Sequence, residues 1–379
     1  MVSVTIVGAG VVGLSIAKEI SDLFDEVYVL EKEHRLGEHA SGRSSQVNHA
    51  GIYYPSWSWK ARLCVEGNKL LREFCPKYKI PYLDVGKLVV AVNEQEEQNL
   101  EELLKKGENN GVPNLKIISK EDVTKIEPNV NCLSALYVPT SGIFDTLTYL
   151  KTLSILARDK GAQVIKRTEV TKVNSIKDGF KIYINTNGGP EEFFHTDFLI
   201  NAAGIFSDKI AQMVNWDNNY KIIPVRGEIT RFFKSEKRPE LNVSMNIYPT
   251  PQEYTINNGN KTFWTGIHLT PVLDEFKLGR EVTITPFLVE PKHKEDYQTS
   301  AKPKDFLNGV NSFFPHVKQR HLQYPQAGIS AKLVDHKDFL IEFDCAFPQC
   351  LHLLGFDSPG LTASLAAGLY VRKLLQENI

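Results

Sequence analysis

The sequence lacks the features that mark secreted, membrane-spanning and nucleic-acid-binding proteins. Its five cysteines are odd in number and none are spaced as C-x-x-C, which indicates neither a disulfide framework nor a zinc site. No apolar run reaches the roughly 18 residues that a membrane-spanning helix needs. A net charge of −1 provides no overall field that would attract nucleic acid. We therefore expect no metal and no nucleic-acid partner.

The same absences favour a reduced, cytoplasmic setting. A strand-type run begins at Val2, so we expect no N-terminal targeting segment. Peripheral contact with the inner face of a membrane needs no spanning segment, and this alternative stays open.

The first 31 residues carry the pattern of a dinucleotide-binding βαβ unit. A β-branched run at Val2–Val7 leads into glycines spaced as G-x-G-x-x-G, which are Gly8, Gly10 and Gly13. An amphipathic segment and a second apolar run follow, and the second run ends at Glu31. Glycines permit the sharp turn, the approach of backbone N–H groups to a pyrophosphate, and close packing of helix on strand. The pattern predicts a dinucleotide, either NAD or FAD, with Glu31 on the adenosine ribose.

Two further segments suit an extended flavin cofactor better than NAD. FLINAAG at 198–204 is an apolar strand that ends in small residues, which let a ligand pass close to the backbone. SPGLTASLAAG at 358–368 predicts a turn and then a helix whose free N–H groups can bind an anion. Taken alone, the first is equally typical of a buried strand and the second of a terminal helix. Together with the N-terminal glycines they favour FAD.

At 379 residues the chain has the length of roughly two domains. Segments of α/β type flank β-rich inserts, so we predict an α/β (α+β) fold. A Rossmann-like FAD-binding domain around a mainly parallel sheet takes residues 1–85, 140–215 and 325–379. Residues 86–139 and 216–324 form an antiparallel-sheet substrate-binding or cap domain.

Six segments spread along the chain carry a family resemblance. They are VNHAGIYYP (47–55), KARLCVEGN (60–68), IYPTP (247–251), GIHLTP (266–271), LVDHKDFLIE (333–342) and SPGLTASLAAG (358–368). With them the chain resembles FAD-dependent oxidoreductases of the D-amino-acid oxidase superfamily, most closely the L-2-hydroxyglutarate dehydrogenase/oxidase branch. The resemblance implies FAD, and an antiparallel sheet that roofs the flavin. Some relatives bind the flavin covalently, but the motif context of Cys345 and Cys350 is poor, so we expect FAD without a covalent link. It also implies oxidation of a carbon that bears a hydroxyl or amino group next to a carboxylate.

The resemblance places a cofactor-binding set on three parts of the sequence: the N-terminal unit with the loop that follows it, the middle strands, and the start of the last helix. The set is Gly8, Gly10, Gly13, Glu31, Lys32, Arg43, Ser44, Ser45, Gln46, Val170, Ala203, Gly204, Ser358, Gly360, Leu361 and Thr362.

Two histidines are the candidates for catalysis. Hydride transfer from a hydroxyl-bearing carbon needs a base for the hydroxyl proton, and histidine suits this because its pKa lies near neutral pH. His49 lies in the aromatic loop HAGIYY, and His268 lies near the end of a predicted strand, Phe263–Leu269. Which of them is the base stays open.

The substrate-binding prediction rests on one departure from the family pattern. Relatives commonly carry an Arg that clamps the substrate carboxylate, whereas GISAKL at 328–333 has Ser330 at that place. Lys332 is the nearest cation, and a carboxylate needs a cation or hydroxyls. We therefore predict Lys332, Tyr53 and Tyr248 as substrate-binding residues.

The predicted reaction is the oxidation of a small 2-hydroxy acid, similar to L-2-hydroxyglutarate, to its 2-oxo acid, with a quinone or oxygen as electron acceptor. Oxidation of an amino acid or of glycerol 3-phosphate on the same fold is a first alternative. A flavoprotein without turnover that acts in assembly is a second.

Overall fold

The structure is a computed structural model that describes residues 1–255 and 261–378, with the backbone alone for residues 252–255 and 261–264. Its α-helices in this part of the chain are α1 (Val11–Ile20), α2 (Trp59–Lys77), α3 (Glu94–Asn109), α4 (Lys120–Ile126), α5 (Thr146–Asp159), α6 (Ser207–Val214), α7 (Pro303–Val310) and α8 (Gly360–Asn378).

The strands of the first half of the chain are β1 (Ser3–Val7), β2 (Glu26–Glu31), β3 (Val47–Asn48), β4 (Tyr82–Leu83), β5 (Lys87–Ala91), β6 (Lys116–Ser119), β7 (Ser134–Val138), β8 (Gly142–Phe144), β9 (Gln163–Lys166), β10 (Thr168–Ile176) and β11 (Gly179–Thr186). Those of the second half are β12 (Glu191–Thr196), β13 (Phe198–Asn201), β14 (Ile222–Phe233), β15 (Asn246–Pro249), β16 (Gln252–Thr255), β17 (Lys261–Trp264), β18 (His268–Asp274), β19 (Lys277–Val289), β20 (Gln326–Leu333), β21 (Leu340–Phe343) and β22 (Cys350–Leu354).

The first sheet has six strands in the order β21–β22–β13–β1–β2–β9. Neighbouring strands are parallel except at one edge, where β21 and β22 are antiparallel. In such a sheet, ligands bind beyond the carboxyl ends of the parallel strands. The arrangement confirms the predicted Rossmann-like, mainly parallel sheet.

Both faces of this sheet are covered, since all five residues of β1 are buried. Val4 and Ile6 belong to the core that contains the apolar faces of α1, α5 and α8. Val7 belongs to a second core, formed with α6 and with the antiparallel sheet β10–β11–β12. The alternation along β1 therefore anchors the strand from both sides and fixes the position of the turn that follows it.

The second large sheet has eight strands in the order β20–β14–β19–β18–β15–β5–β7–β6. All neighbours are antiparallel except β15 and β5, which are parallel. One face packs on a core that contains Leu88, Ile247 and Leu269. The opposite face carries the residues that alternate with these three, and it holds Tyr248 and His268.

Strand β20 joins the eight-stranded sheet through hydrogen bonds to β14, with Leu333 opposite Ile222. It lies in the segment 325–379 that we predict for the FAD-binding domain, so the strand links that segment to the substrate-side sheet. The division of the chain into domains stays a prediction.

The predicted strand Phe263–Leu269 is wrong as a single element. Lys261–Trp264 pairs with Gln252–Thr255 in a separate two-stranded sheet, and His268 begins β18. A positive φ of 74° at Gly266 separates the two strands, because such a turn interrupts an extended chain. No helix among the described residues is both long and apolar enough to cross a membrane.

Candidate functional site

The turn between β1 and α1 is a backbone cradle with no room for side chains. Gly8 has a φ of 105°, and a Cβ there would lie 2.5 Å from the carbonyl oxygen of Ala202. A Cβ on Gly13 would lie 2.0 Å from the carbonyl oxygen of Gly8. Gly10 is the N-cap of α1, and a Cβ on it would approach Ser41 Oγ to 3.1 Å. The predicted glycines therefore allow a ligand to approach the start of α1 closely.

Glu31 is held at the end of β2 by the same turn. Its Oε2 accepts a hydrogen bond from the backbone N–H of Ala9 at 3.0 Å, and its Oε1 accepts one from Glu33 at 3.0 Å. Burial raises the pKa of the Glu31 carboxyl group. Each oxygen keeps a further lone pair, so the group is oriented to accept hydrogen bonds from ribose hydroxyls.

A cavity of about 270 Å³ opens beside this turn. It brings together seven predicted cofactor residues that are far apart in the sequence: Gly8, Gly10, Glu31, Lys32, Val170, Ala203 and Gly204. The cradle that excludes a Cβ and the buried carboxylate fit the adenosine and pyrophosphate of a dinucleotide.

Lys32 lies at the rim of this cavity among acidic groups. Its Nζ lies 2.5 Å from Glu295 Oε1 and 3.4 Å from Glu33 Oε1. His39 Nε2 lies 3.0 Å from the same Glu33 oxygen, and Glu33, His39 and Glu295 bring potential metal ligands within 4.8 Å of one another. Because Lys32 already supplies positive charge there, we assign the cluster no metal.

The loop after β2 connects the cavity to the second sheet. Arg43 Nε donates to the carbonyl of Glu38 at 2.6 Å, and its guanidinium lies 4.2 Å from the centre of the Tyr297 ring. A Cβ on Gly328 of β20 would lie 2.4 Å from the carbonyl oxygen of Arg43. The Arg43 side chain is thus engaged by the protein, and the loop packs directly on β20.

The end of the loop and the start of α8 meet beside His49. Ser44 and Ser45 are half-buried, and the carbonyl of Gln46 accepts a hydrogen bond from Phe144 at 3.0 Å. Thr362 Oγ1, in the first turn of α8, accepts from the backbone N–H of His49 at 3.0 Å. The start of α8, with Ser358, Gly360 and Leu361, is therefore fixed next to a candidate catalytic residue.

The substrate-side candidates meet on one face of the eight-stranded sheet. The ring centres of His268 and Tyr248 are 3.7 Å apart. Lys87 Nζ lies 3.8 Å from the centre of the Tyr248 ring and 5.2 Å from that of Tyr53. Lys87 is missing from the residues predicted from sequence. Its signal is the alternation of the strand GKLVVAV, which places Lys87 on the same face as the buried Val89 and Ala91.

Hydrogen bonding determines the protonation of His268. Its Nδ1 lies 3.0 Å from the carbonyl oxygen of Gly266, which can only accept, so Nδ1 carries the proton. Burial, with a smaller contribution from Lys87, lowers the pKa of His268 to about 3, so the ring is neutral. Nε2 then has a free lone pair, and among the described residues it has no hydrogen-bond partner.

His49 is a second neutral imidazole at this face. Burial lowers its pKa well below the ordinary value, and the charges of Lys87 and His268 lower it further. Its Nδ1 is buried without a hydrogen-bond partner in the described part of the chain. Both histidines are close enough to Lys87 for its charge to lower their pKa, and each keeps a ring nitrogen without a hydrogen-bond partner among the described residues.

Lys332 lies on β20, the edge strand of the eight-stranded sheet. Gly328, Ser330 and Lys332 alternate with the buried residues of β20 and share its other face. Ser330 Oγ donates to the carbonyl of Val225 at 3.1 Å. Burial lowers the pKa of Lys332, and the charges that act on it are those of Asp357 and Lys60. Its predicted substrate role stays a prediction.

Comparisons with known proteins agree with this geometry. A family model described as FAD dependent oxidoreductase matches residues 3–374. L-2-hydroxyglutarate dehydrogenase of Homo sapiens is 34% identical, covering 96% of this chain and 86% of its own. Glycerol 3-phosphate dehydrogenase of Caloramator mitchellensis is 30% identical, covering 99% and 74%. The structure of dithionite-reduced L-α-glycerophosphate oxidase from Mycoplasma pneumoniae with FAD bound gives a TM-score of 0.86 at 26% identity, covering 99% and 95%. The predicted resemblance, cofactor and fold class are confirmed.

Proposed function

The chain belongs to the family of FAD dependent oxidoreductases, and on this premise we propose that it oxidises a small 2-hydroxy acid, similar to L-2-hydroxyglutarate, to the 2-oxo acid. When bound, FAD accepts the hydride that leaves the substrate carbon. The observation that carries the proposal is the pair of neutral histidines, each with an unused nitrogen, beside a buried lysine.

The histidines supply the proton acceptor that this oxidation needs. His268 Nε2 has a free lone pair because Nδ1–H is committed to the carbonyl of Gly266. His49 is held by its backbone bond to Thr362, at the start of α8. Either ring can take the hydroxyl proton as the carbon–hydrogen bond breaks.

The rest of the face orients the substrate and limits water. Tyr248 is 1% exposed and Tyr53 is 6% exposed, and burial raises the pKa of both phenols. Both side chains are therefore neutral. They form an apolar wall around the histidines, which strengthens electrostatic interactions with a charged ligand.

Oxidation of glycerol 3-phosphate is a second candidate, because two of the similar proteins bear glycerophosphate names. The resemblance also leads us to expect a carboxylate-clamping Arg where the chain has Ser330, so this position does not favour a carboxylate over a phosphate. Against it, a phosphate dianion needs more positive charge than a carboxylate. Lys60, whose charge acts on Lys332, is already paired with Asp357 at 2.6 Å.

The test is anaerobic mixing of the FAD-containing protein with single substrates while the visible flavin absorbance is recorded. We expect L-2-hydroxyglutarate to bleach the flavin, and its D enantiomer, glycerol 3-phosphate and amino acids to leave it oxidised. Bleaching by glycerol 3-phosphate alone would replace the proposal by the second candidate. Bleaching by an amino acid alone would contradict both.

The electron acceptor is identified with the substrate-reduced protein that this reaction produces. Both oxygen and a quinone draw on the same substrate half-reaction. Mixing the substrate-reduced protein with aerated buffer, and separately with a soluble quinone, compares the two rates of reoxidation, and the faster acceptor defines the protein as an oxidase or a dehydrogenase.

A further inference from the structure

Lys87 is a charged side chain in an unusual place. It is 1% exposed and belongs to β5, which lies between β15 and β7 inside the eight-stranded sheet. A buried ammonium group loses most of its hydration, and an interior position is costly unless an anion or hydrogen-bond acceptors replace the water.

The protein provides Lys87 with neither. Among residues 1–251 and 265–378, whose side chains are described, no carboxylate forms an ion pair with Lys87 Nζ and no acceptor forms a hydrogen bond with it. Its contacts are the faces of the Tyr248 and Tyr53 rings. Such contacts stabilise a cation, but by less than the hydration that is lost.

The groups around Lys87 carry no negative charge. Cys64 is fully buried, its Sγ donates to the carbonyl of His49 at 3.4 Å, and burial raises the pKa of the thiol, so the sulfur keeps its proton. His49 and His268 are neutral. Burial lowers the pKa of Lys87 to about 7, in agreement with a cation that has no counter-ion.

Two cations elsewhere in the described part of the chain, the buried Arg226 and the partly buried Lys294, are each paired with carboxylates. Arg226, 4% exposed, lies 3.0 Å from Glu228 and 2.9 Å from Asp296. Lys294 lies 2.5 Å from Asp208. Lys87 has no such anion among the described residues, and it packs on Tyr248 beside His268, which indicates that its counter-ion is a ligand.

We propose that the Lys87 ammonium group binds the carboxylate of the substrate and so orients the adjacent hydroxyl toward the histidines; the assignment rests on the proposed function. One ammonium group neutralises one carboxylate, which matches the group next to the reacting carbon. Lys87 would then supply the positive charge that Ser330 lacks. It would do so from β5, a strand of the same sheet that is not adjacent to β20. Neutralising Lys87 also removes one cause of the low pKa of both histidines.

The test is Lys87→Met, which keeps the length of the side chain and removes its charge, in the oxidised FAD-containing protein. The ligand is 2-oxoglutarate, which resembles the product and cannot reduce the flavin. We expect its dissociation constant, measured by calorimetric titration, to rise roughly tenfold to a hundredfold, as for a lost charge-assisted hydrogen bond.

The matched control is Lys234→Met: Lys234 is half-buried in the same part of the fold and donates to the carbonyl of Val243 at 3.0 Å. We expect this control to bind 2-oxoglutarate with wild-type affinity.

The thermal unfolding midpoint without ligand distinguishes a ligand-binding lysine from a structural one. Removing a lysine that only stabilises the fold would lower this midpoint. Because Lys87→Met removes an uncompensated buried charge, its unfolding midpoint should rise above that of the wild type. The upward shift that 2-oxoglutarate causes in the wild type should disappear. A lower midpoint together with unchanged affinity would overturn the assignment.

The two proposals fail in different ways. If no 2-hydroxy acid bleaches the wild-type flavin, the proposed function fails. If Lys87→Met binds 2-oxoglutarate as tightly as the wild type does, the assignment of Lys87 fails, whatever the substrate panel shows. A Lys87-dependent affinity for inorganic phosphate that exceeds the affinity for 2-oxoglutarate would also overturn it. Should Lys87→Met lose its FAD, Lys87→Gln provides the same comparison with a neutral polar side chain.

Discussion

His352 in the six-stranded sheet and His268 in the eight-stranded sheet are both buried on strands, but their surroundings differ. His352 Nε2 lies 3.1 Å from Asp344 Oδ2, and its Nδ1 lies 3.2 Å from Asn201 Nδ2. His268 has a partner on Nδ1, and none on Nε2 among the described residues. An unpaired buried polar atom costs about 1–3 kcal/mol. The first histidine therefore contributes to stability, whereas the second keeps a nitrogen available for a ligand.

The same contrast extends to the two binding regions. The nucleotide cradle is made of backbone atoms and the Glu31 carboxylate, all held by local hydrogen bonds. The substrate face is made of side chains from separate strands and from the loop after β3, and its two histidines each have a ring nitrogen without a partner among the described residues. Substitutions in the first region should affect cofactor retention and stability, and those in the second should affect turnover.

The largest effect is expected for Gly8→Ala. The new Cβ would lie 2.5 Å from the carbonyl oxygen of Ala202 at a φ of 105°. The turn must shift, at a cost of about 3 kcal/mol or more, and the pyrophosphate cradle is lost. We expect the purified protein to contain almost no FAD, as measured by the ratio of flavin to protein absorbance.

Gly161→Ala is the matched control for the conformational part of this effect. Gly161 has a φ of 99°, and a Cβ there would meet no atom within 4 Å. The control should lose about 1 kcal/mol of stability and keep its FAD. A Gly8→Ala protein with a full complement of FAD would contradict the backbone character of the cradle.

The next largest effect is expected for the two histidines of the substrate face. His268→Asn and His49→Asn each remove one neutral imidazole, and the variant that lacks the base should reduce its flavin roughly 100- to 10,000-fold more slowly. Rapid mixing with substrate under anaerobic conditions measures this rate. Exposed His316 provides the control variant His316→Asn, which should reduce at the wild-type rate.

Stability separates these variants from a structural defect. Since His49 Nδ1 and His268 Nε2 have no hydrogen-bond partner among the described residues, both variants should retain FAD and unfold near the wild-type midpoint. If both variants reduce their flavin at the wild-type rate, neither histidine is the base. The proposed catalytic role of the substrate face would then be wrong.

The smallest effect is expected for His352→Leu. The substitution removes the group that bonds to Asp344 and Asn201, so it should cost about 1–3 kcal/mol in the free energy of unfolding. Urea unfolding of the FAD-containing protein measures the loss. The rate of flavin reduction should stay at the wild-type value, and a hundredfold fall in that rate would show that this region also takes part in the chemistry.

The sequence alone predicts the cradle well because its causes are local. Gly8, Gly10, Gly13 and Glu31 lie within one βαβ unit, and each has a role fixed by the backbone geometry of that unit. Local sequence patterns also predict the start of α8 and the small residues after β13. The mainly parallel first sheet then follows from the alternation of strands and helices along the chain.

The substrate face is harder to predict because its causes are distant in the sequence. Lys87 appears in the sequence as a polar residue at the start of an apolar strand, and its position beside Tyr248 depends on β15, which lies more than a hundred residues away. Likewise, the pairing of β20 with β14 decides the position of Ser330 and Lys332, and no local pattern reveals that pairing. A buried lysine is recognised as unusual once the neighbouring strands are known.

The single parallel contact in the second sheet has a consequence for biosynthesis. Asn246 Nδ2 donates to the carbonyl of Gly86 at 2.9 Å, across 160 residues of sequence. During translation, β5 leaves the ribosome long before β15 and β18, so Lys87 stays in water until its neighbours have been made. The site therefore assembles late, and no nascent chain that ends before His268 contains it.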